Sequence, residues 1–389
     1  AERTVAVAAV GANSPIISLV VNLFIGIALG SNVVISHAIG RGDKADVQKA
    51  VHTSVLISII GGILVALLGE LIAAPLLGLL SVPEDVLPMA LLYLRIYLAG
   101  MPVILLYNFE AAIFRSIGET KIPLLALASS GILNVLLNLF FVAVLRMTVN
   151  GVAIATVISN AASSALLYIR LRGTTRDIRL EPKLLRIDVG VLKRILRVGL
   201  PAGLQSALFS VSNIVIQSAI NNLGTVVMAA SSAAYNIEII TYDILNSFSQ
   251  ACTTFVGQNY GAGEFGRCRK TLYLCLIEGI IALAAAITII LFFGKSLLSL
   301  FNSEPEVVST GYIRLVMIML SHSFSLLYEV MSGYLRGFGI SLTPALLTML
   351  GVCGVRIAWI KLAFPRSMTF RTIMTAYPIS LSFTALLIF

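Results

Sequence analysis

The sequence predicts an all-α polytopic membrane protein made of two six-helix lobes related by a parallel pseudo-twofold repeat, with eleven helices present. Three observations carry this expectation. The chain is 58% hydrophobic and 12% charged, with a mean hydropathy of +0.98. That is more apolar surface than one soluble core of 389 residues can hide. Apolar runs of about 20 residues, each long enough to cross roughly 30 Å of hydrocarbon, recur along its whole length. The chain also repeats itself at an offset of 221 residues. Gly40-Arg41-Gly42-Asp43 returns as Gly261-Ala262-Gly263-Glu264, and Ile158-Ser159 returns as Ile379-Ser380. Phe114-Arg115-Ser116-Ile117-Gly118, followed by Pro123, returns as Leu335-Arg336-Gly337-Phe338-Gly339, followed by Pro344. Tyr93-Leu94-Arg95 matches Tyr312-Ile313-Arg314 two residues out of phase. A period this long in so apolar a chain marks two fused bundles, an arrangement found mostly in transporters.

The apolar runs place spans at 13–37, 50–74, 86–112, 123–145, 150–171, 190–220, 231–256, 271–294, 308–334, 343–364 and 369–389. The repeat then divides them. Residues 1–172 form an N-terminal lobe, 173–188 a charged linker carrying Pro182, and 189–389 a C-terminal lobe. Arg197-Val198-Gly199-Leu200-Pro201 opens the first helix of the second lobe, and its counterpart at the same offset would precede residue 1. The first lobe is therefore expected to hold helices 2–6, with helix 1 missing.

Orientation follows from loop charge. Most of the 27 basic residues fall in alternate loops: Arg41, Lys44 and Lys49; Arg115 and Lys121; Arg267, Arg269 and Lys270; and Arg336. The linker region adds Arg170, Arg172, Arg176, Arg179, Lys183, Arg186, Lys193, Arg194 and Arg197. The opposite loops are short or acidic, as at Glu84-Asp85 and Glu304 with Glu306. The positive-inside rule puts the basic loops and the linker in the cytoplasm and the protein in the plasma (inner) membrane. It also accounts for the net charge of +9 without nucleic acid. The linker bases either meet anionic membrane lipid or are simply solvated.

Several function classes are excluded. Cys252, Cys268, Cys275 and Cys353 form no CxxC pair and read as packing residues. Three scattered histidines suggest no metal site. No P-loop, GxSxG or HExxH occurs, so an enzyme is not expected, nor is any cofactor beyond a coupling ion.

Polar side chains inside spans need protein or water partners, so their alignment is informative. Ser206, Ser210, Asn213, Gln217 and Asn221 share one face of the first helix of the second lobe. Asn236, Asp243, Asn246, Ser247, Gln250 and Thr254 share a face of the next. The two stripes predict either a hydrated cavity or hydrogen-bonding between helices. Asp243 sits in the second stripe, Glu238 on another face of the same helix, and Glu329 with His322, Ser325 and Ser332 at three-and-four spacing. Asp243, Glu238 and Glu329 are therefore the candidate cation-coupling residues; a buried carboxylate serves Na+ or H+ equally. Ser210, Asn213, Gln217, Asn246 and Gln250 are candidate substrate-binding residues. The first lobe adds Asn22, in register with Asp243, and Asn160. Glu110 and Glu329 are each either buried in their spans or loop-end partners, of Arg115 and Arg336 respectively, and Arg356 is expected to pair with an acid in preference to contacting substrate. Pro102, Pro201 and Pro378 sit inside predicted spans.

Gly-Leu-Pro-Ala-Gly-Leu-Gln-Ser at 199–206, Phe-Val-Gly-Gln-Asn-Tyr-Gly-Ala-Gly at 255–263 and Leu-Arg-Gly-Phe-Gly at 335–339 resemble the multidrug and toxic compound extrusion (MATE) family over essentially the whole chain. The resemblance implies a pair of six-helix lobes working as a monomer. It also implies export of small organic, often cationic, compounds in exchange for Na+ or H+. One branch of the family carries acids in the first and fourth helices of the second lobe, where this chain has Phe209 and Ser325. The alternative is a flippase for lipid-linked precursors, which would need a strongly cationic central cavity.

Overall fold

A computed structural model of the chain describes residues 2–79 and 82–389. Among these the structure is helical and without strands. In chain order come α1 (Glu2–Arg41), α2 (Lys44–Leu79), α3 (Leu87–Ala99), α4 (Met101–Ser116) and α5 (Lys121–Leu139), which runs into a π turn at Phe140–Val144. Then follow α6 (Val149–Gly173), α7 (Val189–Asn221), α8 (Thr225–Gly261), α9 (Phe265–Ser299) and α10 (Pro305–Gly337). α11 (Leu342–Thr348) continues through a π turn at Met349–Gly354 into α12 (Val355–Leu362), and α13 (Phe370–Ile388) closes the order. All eleven sequence-derived spans coincide with these helices. Nine helices among the described residues are long and apolar enough to cross a membrane, or ten when the bent pair α3 and α4 counts as one span. α8 is the other long segment, at 37 residues. Its polar residues keep it below that threshold of apolarity. The protein is a multi-pass, all-α membrane protein.

Pro102 lies at the break of the bent span formed by α3 and α4. It opens α4, after a 48° bend at Gly100. A proline at the start of a helix loses no hydrogen bond that the helix needs. The bend also suits Gly62, whose missing side chain leaves room for the backbone of Met101 and Pro102.

Contacts divide the chain into two compact units, Ala1–Gly203 and Leu204–Phe389, with the boundary inside α7. In the first unit, Phe109, Phe114, Ile35, Leu167 and Leu171 centre one apolar cluster, and Leu94, Leu105 and Met101 another. The first half of α7 belongs to this unit. There Gly26 and Gly30 of α1 meet Gly199 and Gly203 of α7 so closely that a Cβ on any of the four would strike backbone. Both helices carry the G-x-x-x-G spacing that lets membrane helices approach along a small-residue groove. In the second unit the apolar clusters include Ile318, Met319 and Tyr328 of α10, Ile237 of α8, and Ile373 and Met374 of α13.

The sequence repeat is visible as repeated turn geometry. Gly42 and Gly263 have φ of 70° and 76°, and Gly118 and Gly339 have φ of 75° and 82°. At each, the glycine N–H and the next N–H bond back to the helix end: Gly42 to Ile39 and Asp43 to Ala38, then Gly263 to Tyr260 and Glu264 to Asn259. Gly118 to Arg115 and Glu119 to Phe114 match Gly339 to Arg336 and Ile340 to Leu335. This is the Schellman closure, which requires a left-handed residue that glycine adopts without strain.

Candidate functional site

The second unit buries its charges along α10. Arg314, 4% exposed, donates through Nε to Glu238 Oε2 at 2.9 Å, through Nη2 to Glu238 Oε1, and through Nη1 to Ser231 Oγ at 2.6 Å. Glu238 is thus held by a two-pronged ion pair between α8 and α10, the geometry in which a buried pair is best compensated. Tyr235 and Tyr377 turn their rings toward the same guanidinium, at 5.8 and 5.9 Å. Arg314 was visible beforehand only as the end of the Tyr-x-Arg repeat. Nothing in its spacing pointed to Glu238, because the pair closes across 76 residues.

Glu329 stands differently. It is 5% exposed, and among the described residues its carboxylate makes no ion pair and no hydrogen bond. Its backbone carbonyl accepts from Ser249 Oγ at 2.7 Å. The neighbouring turns of α10 hold His322 Nδ1, Ser332 Oγ and Arg336 Nε, each buried without a hydrogen-bond partner among the described residues. Arg336 uses Nη2 on Gln205 Oε1 at 2.8 Å. A strip of enclosed polar atoms so poorly paired is costly in a membrane helix, and such strips mark ion and substrate paths. Around them the helix contact is tight. Thr253 Oγ1 donates to Gly333 O at 3.0 Å, and a Cβ at Gly333 would collide with Ser249.

Asp243 is exposed and, among the described residues, its side chain makes no hydrogen bond or ion pair. Its carbonyl accepts from Ser247. Asn246 and Gln250 are half-buried on the same helix. On α7, Ser210 donates to Ser206 O at 3.3 Å, Gln217 to Asn221 Oδ1 at 2.8 Å, and Asn213 is exposed. The open stripes of α7 and α8 are therefore distinct from the buried polar line of Ser231, Glu238, Ser249 and Thr253.

In the first unit, Asn22 is half-buried and Asn160 donates to Thr156 O at 2.8 Å. Glu110 is fully buried and accepts from Ser164 Oγ at 2.9 Å, while its Oε1 lacks a partner among the described residues. It therefore belongs to the interior between α4 and α6 and not to an ion pair with Arg115. The polar contact of α5 with α6 runs from Ser130 to Ser159 O at 2.7 Å and from Asn134 to Ser159 Oγ at 3.2 Å.

The segment between α6 and α7 is docked. Gln48 Nε2 donates to Arg179 O at 3.0 Å and His52 Nε2 accepts from Glu181 N at 3.0 Å. Thr53 Oγ1 accepts from Asp188 N at 3.0 Å, and Ile178 and Leu180 are buried. Asp46 gathers Arg41 at 2.7 Å and Arg194 at 2.9 Å, joining the ends of α1, α2 and α7. Asp188 caps α7 by accepting from Val191 N at 3.0 Å. That backbone hydrogen bond, helped by Lys49, holds its carboxyl below the ordinary aspartate range.

Comparison with known proteins agrees with this architecture. The MatE family profile matches residues 3–140 and 201–360. The probable multidrug resistance protein YoeA of Bacillus subtilis is 27% identical over 359 residues, covering 90% of this chain and 78% of that protein. The probable multidrug resistance protein NorM of Thermotoga maritima is 24% identical, covering 90% and 76%. The crystal structure of MATE in complex with MaL6 superposes with a TM-score of 0.91 at 21% identity, over 98% of this chain and 86% of that one. With its all-helical fold and its buried charges aligned in membrane helices, this chain belongs to the MatE family of membrane transporters and is not an enzyme.

Proposed function

We propose that this chain acts as a multidrug efflux antiporter, exporting small organic, often cationic, compounds in exchange for Na+ or H+ across the plasma membrane. Its basic loops and linker are assigned to the cytoplasm and its two lobes to residues 1–172 and 189–389, joined by 173–188. The names of its relatives support multidrug export.

One observation carries the ion coupling: Glu329 is a buried membrane carboxylate that closes no ion pair or hydrogen bond among the described residues, with Arg336 of the same helix as the cation acting on it. Such a group either takes up a proton or holds a cation, and both exchange with the side of the membrane to which it is open. Glu238 is committed to Arg314 and serves as a structural counter-charge. Asp243 is exposed beside Asn246 and Gln250, where a carboxylate attracts a cationic compound. Coupling thus falls to Glu329 and cation recognition to Asp243 with Asn213, Gln217, Asn246, Gln250 and Ser210. Asn22 and Asn160 are assigned to the substrate path of the first lobe.

Everted vesicles, given ethidium in the bath, test this reading. An imposed Na+ or pH gradient is expected to drive dye movement, and Glu329→Gln is expected to abolish the response to either. Asp243→Asn is expected to raise the half-saturating dye concentration while leaving ion dependence in place. Dye movement indifferent to both gradients would overturn the antiporter.

A further inference from the structure

The sequence leads one to expect an acid beside Arg356, and the structure has none: no carboxylate among the described residues lies within ion-pair distance of it. Arg356 is 5% exposed on α12, within a membrane span. Its Nε donates to Ser380 Oγ at 3.1 Å, and its guanidinium carbon lies 4.4 Å from the centre of the Tyr377 ring. Among the described residues its two terminal amino groups make no hydrogen bond. Tyr377 is shared, since Arg314 lies 5.9 Å from the same ring. Two guanidiniums therefore flank one tyrosine, and a single carboxylate, Glu238, serves them through Arg314. His322 lies within range of the Arg356 charge, with its Nδ1 enclosed and unpartnered. A ring face and one hydroxyl are weak partners for a full charge in a membrane span. A guanidinium with both terminal amino groups uncommitted receives a planar or tetrahedral oxyanion on two parallel N–H groups.

We propose that Arg356, with Ser380 and the ring of Tyr377, forms a binding centre for the oxyanion group, carboxylate or phosphate, of a small amphiphilic molecule. The centre lies wholly within the second unit. It goes beyond the exporter reading, because it predicts a preference for a molecule that carries an anionic group beside its apolar or cationic body.

The test is equilibrium binding to the purified chain in neutral detergent, with no ion gradient, so its result is independent of coupled transport. Rhodamine 110 carries a free carboxylate and rhodamine 123 is its methyl ester; the ring systems are the same. Fluorescence anisotropy is expected to give several-fold tighter binding of rhodamine 110. Arg356→Gln is expected to weaken rhodamine 110 about tenfold, the loss of one charge-assisted contact, and to leave rhodamine 123 unchanged. Ser380→Ala, a smaller change that keeps the packing, is expected to weaken rhodamine 110 a few-fold. Benzoate and phenyl phosphate, tried as competitors, are expected to displace rhodamine 110. Displacement by phosphatidylglycerol as well would identify a lipid headgroup as a source of the oxyanion. Equal binding of the two dyes to the unaltered chain overturns the proposal, and so does an equal loss of both in Arg356→Gln.

Discussion

The two copies of one short motif make different ion pairs. Arg95, in Tyr93-Leu94-Arg95, meets Glu70 at 2.9 Å with the two side chains 46% and 53% exposed. Arg314, in Tyr312-Ile313-Arg314, meets Glu238 with the two side chains 5% and 9% exposed. An exposed pair is screened and contributes about 0–1 kcal/mol. A buried pair tolerates replacement of both members far better than loss of one, which leaves a bare charge and costs about 3–5 kcal/mol. The same contrast recurs elsewhere. Glu329 of the second unit corresponds by the repeat to Asn108, which bonds its own helix at Ile104 O, and Glu110 of the first corresponds to Met331. Duplication preserved the turns and left the charges free to diverge. Each unit now has its own electrostatic interior.

The largest expected effect breaks that comparison at its buried side. Glu238→Ala is expected to destabilise the protein by about 3–5 kcal/mol, because Arg314 is left uncompensated. Thermal unfolding in detergent measures it, and the double change Glu238→Leu with Arg314→Met is expected to recover much of the loss. A double variant as unstable as the single would show that packing, not charge, dominates there.

Next comes Gly333→Ala, where the new methyl meets the carbonyl of Ser249. Overpacking of this kind costs about 1–3 kcal/mol. It is expected to lower the unfolding temperature, while Gly131→Ala, with open space around it, gives no such loss.

Thr253→Val removes a donor to Gly333 O and is expected to cost about 1 kcal/mol. Arg95→Gln, on the exposed side of the comparison, is expected to stay within about 1 kcal/mol of the parent protein. A loss as large as that of Glu238→Ala would overturn the contrast between the two motifs.

The smallest effect is at Asp188. Its folded-state pKa is depressed, so the cap contributes stability above the ordinary aspartate value of about 3.9 and loses it as pH falls through the lower folded value. Amide exchange at Val191 is expected to be protected at pH 6, with that protection declining below about pH 4. In Asp188→Asn the decline is expected to disappear; its persistence would place the titration elsewhere.

Much of the fold was legible in the residues, because lipid imposes a simple demand. Every span must satisfy its own backbone, so long apolar runs between charged or glycine-rich breaks become helices. The turns at Gly42, Gly118, Gly263 and Gly339 were equally legible as repeats, and their positive φ explains why glycine stands there. The close approach of α1 and α7 was written in two G-x-x-x-G patterns that polarity analysis passes over. The site was less legible. The acids could be named from composition and position in their spans, with Asp243 foremost, but their partners could not. Nothing in the sequence showed that Arg314 closes on Glu238 and not on Glu329. The linker read as charged, lipid-facing or solvated, because its anchors, Gln48, His52 and Thr53, lie more than a hundred residues upstream.

By itself the sequence determined what is local and repeated: an all-α membrane chain, its spans, its turns and its family. These follow from hydropathy, backbone hydrogen bonding and glycine conformation, which act within a few residues. Only the tertiary structure decided which charges are compensated. That depends on distances of a few ångströms between helices far apart in the chain, where one guanidinium finds Glu238 and another, Arg356, finds only a ring and a hydroxyl.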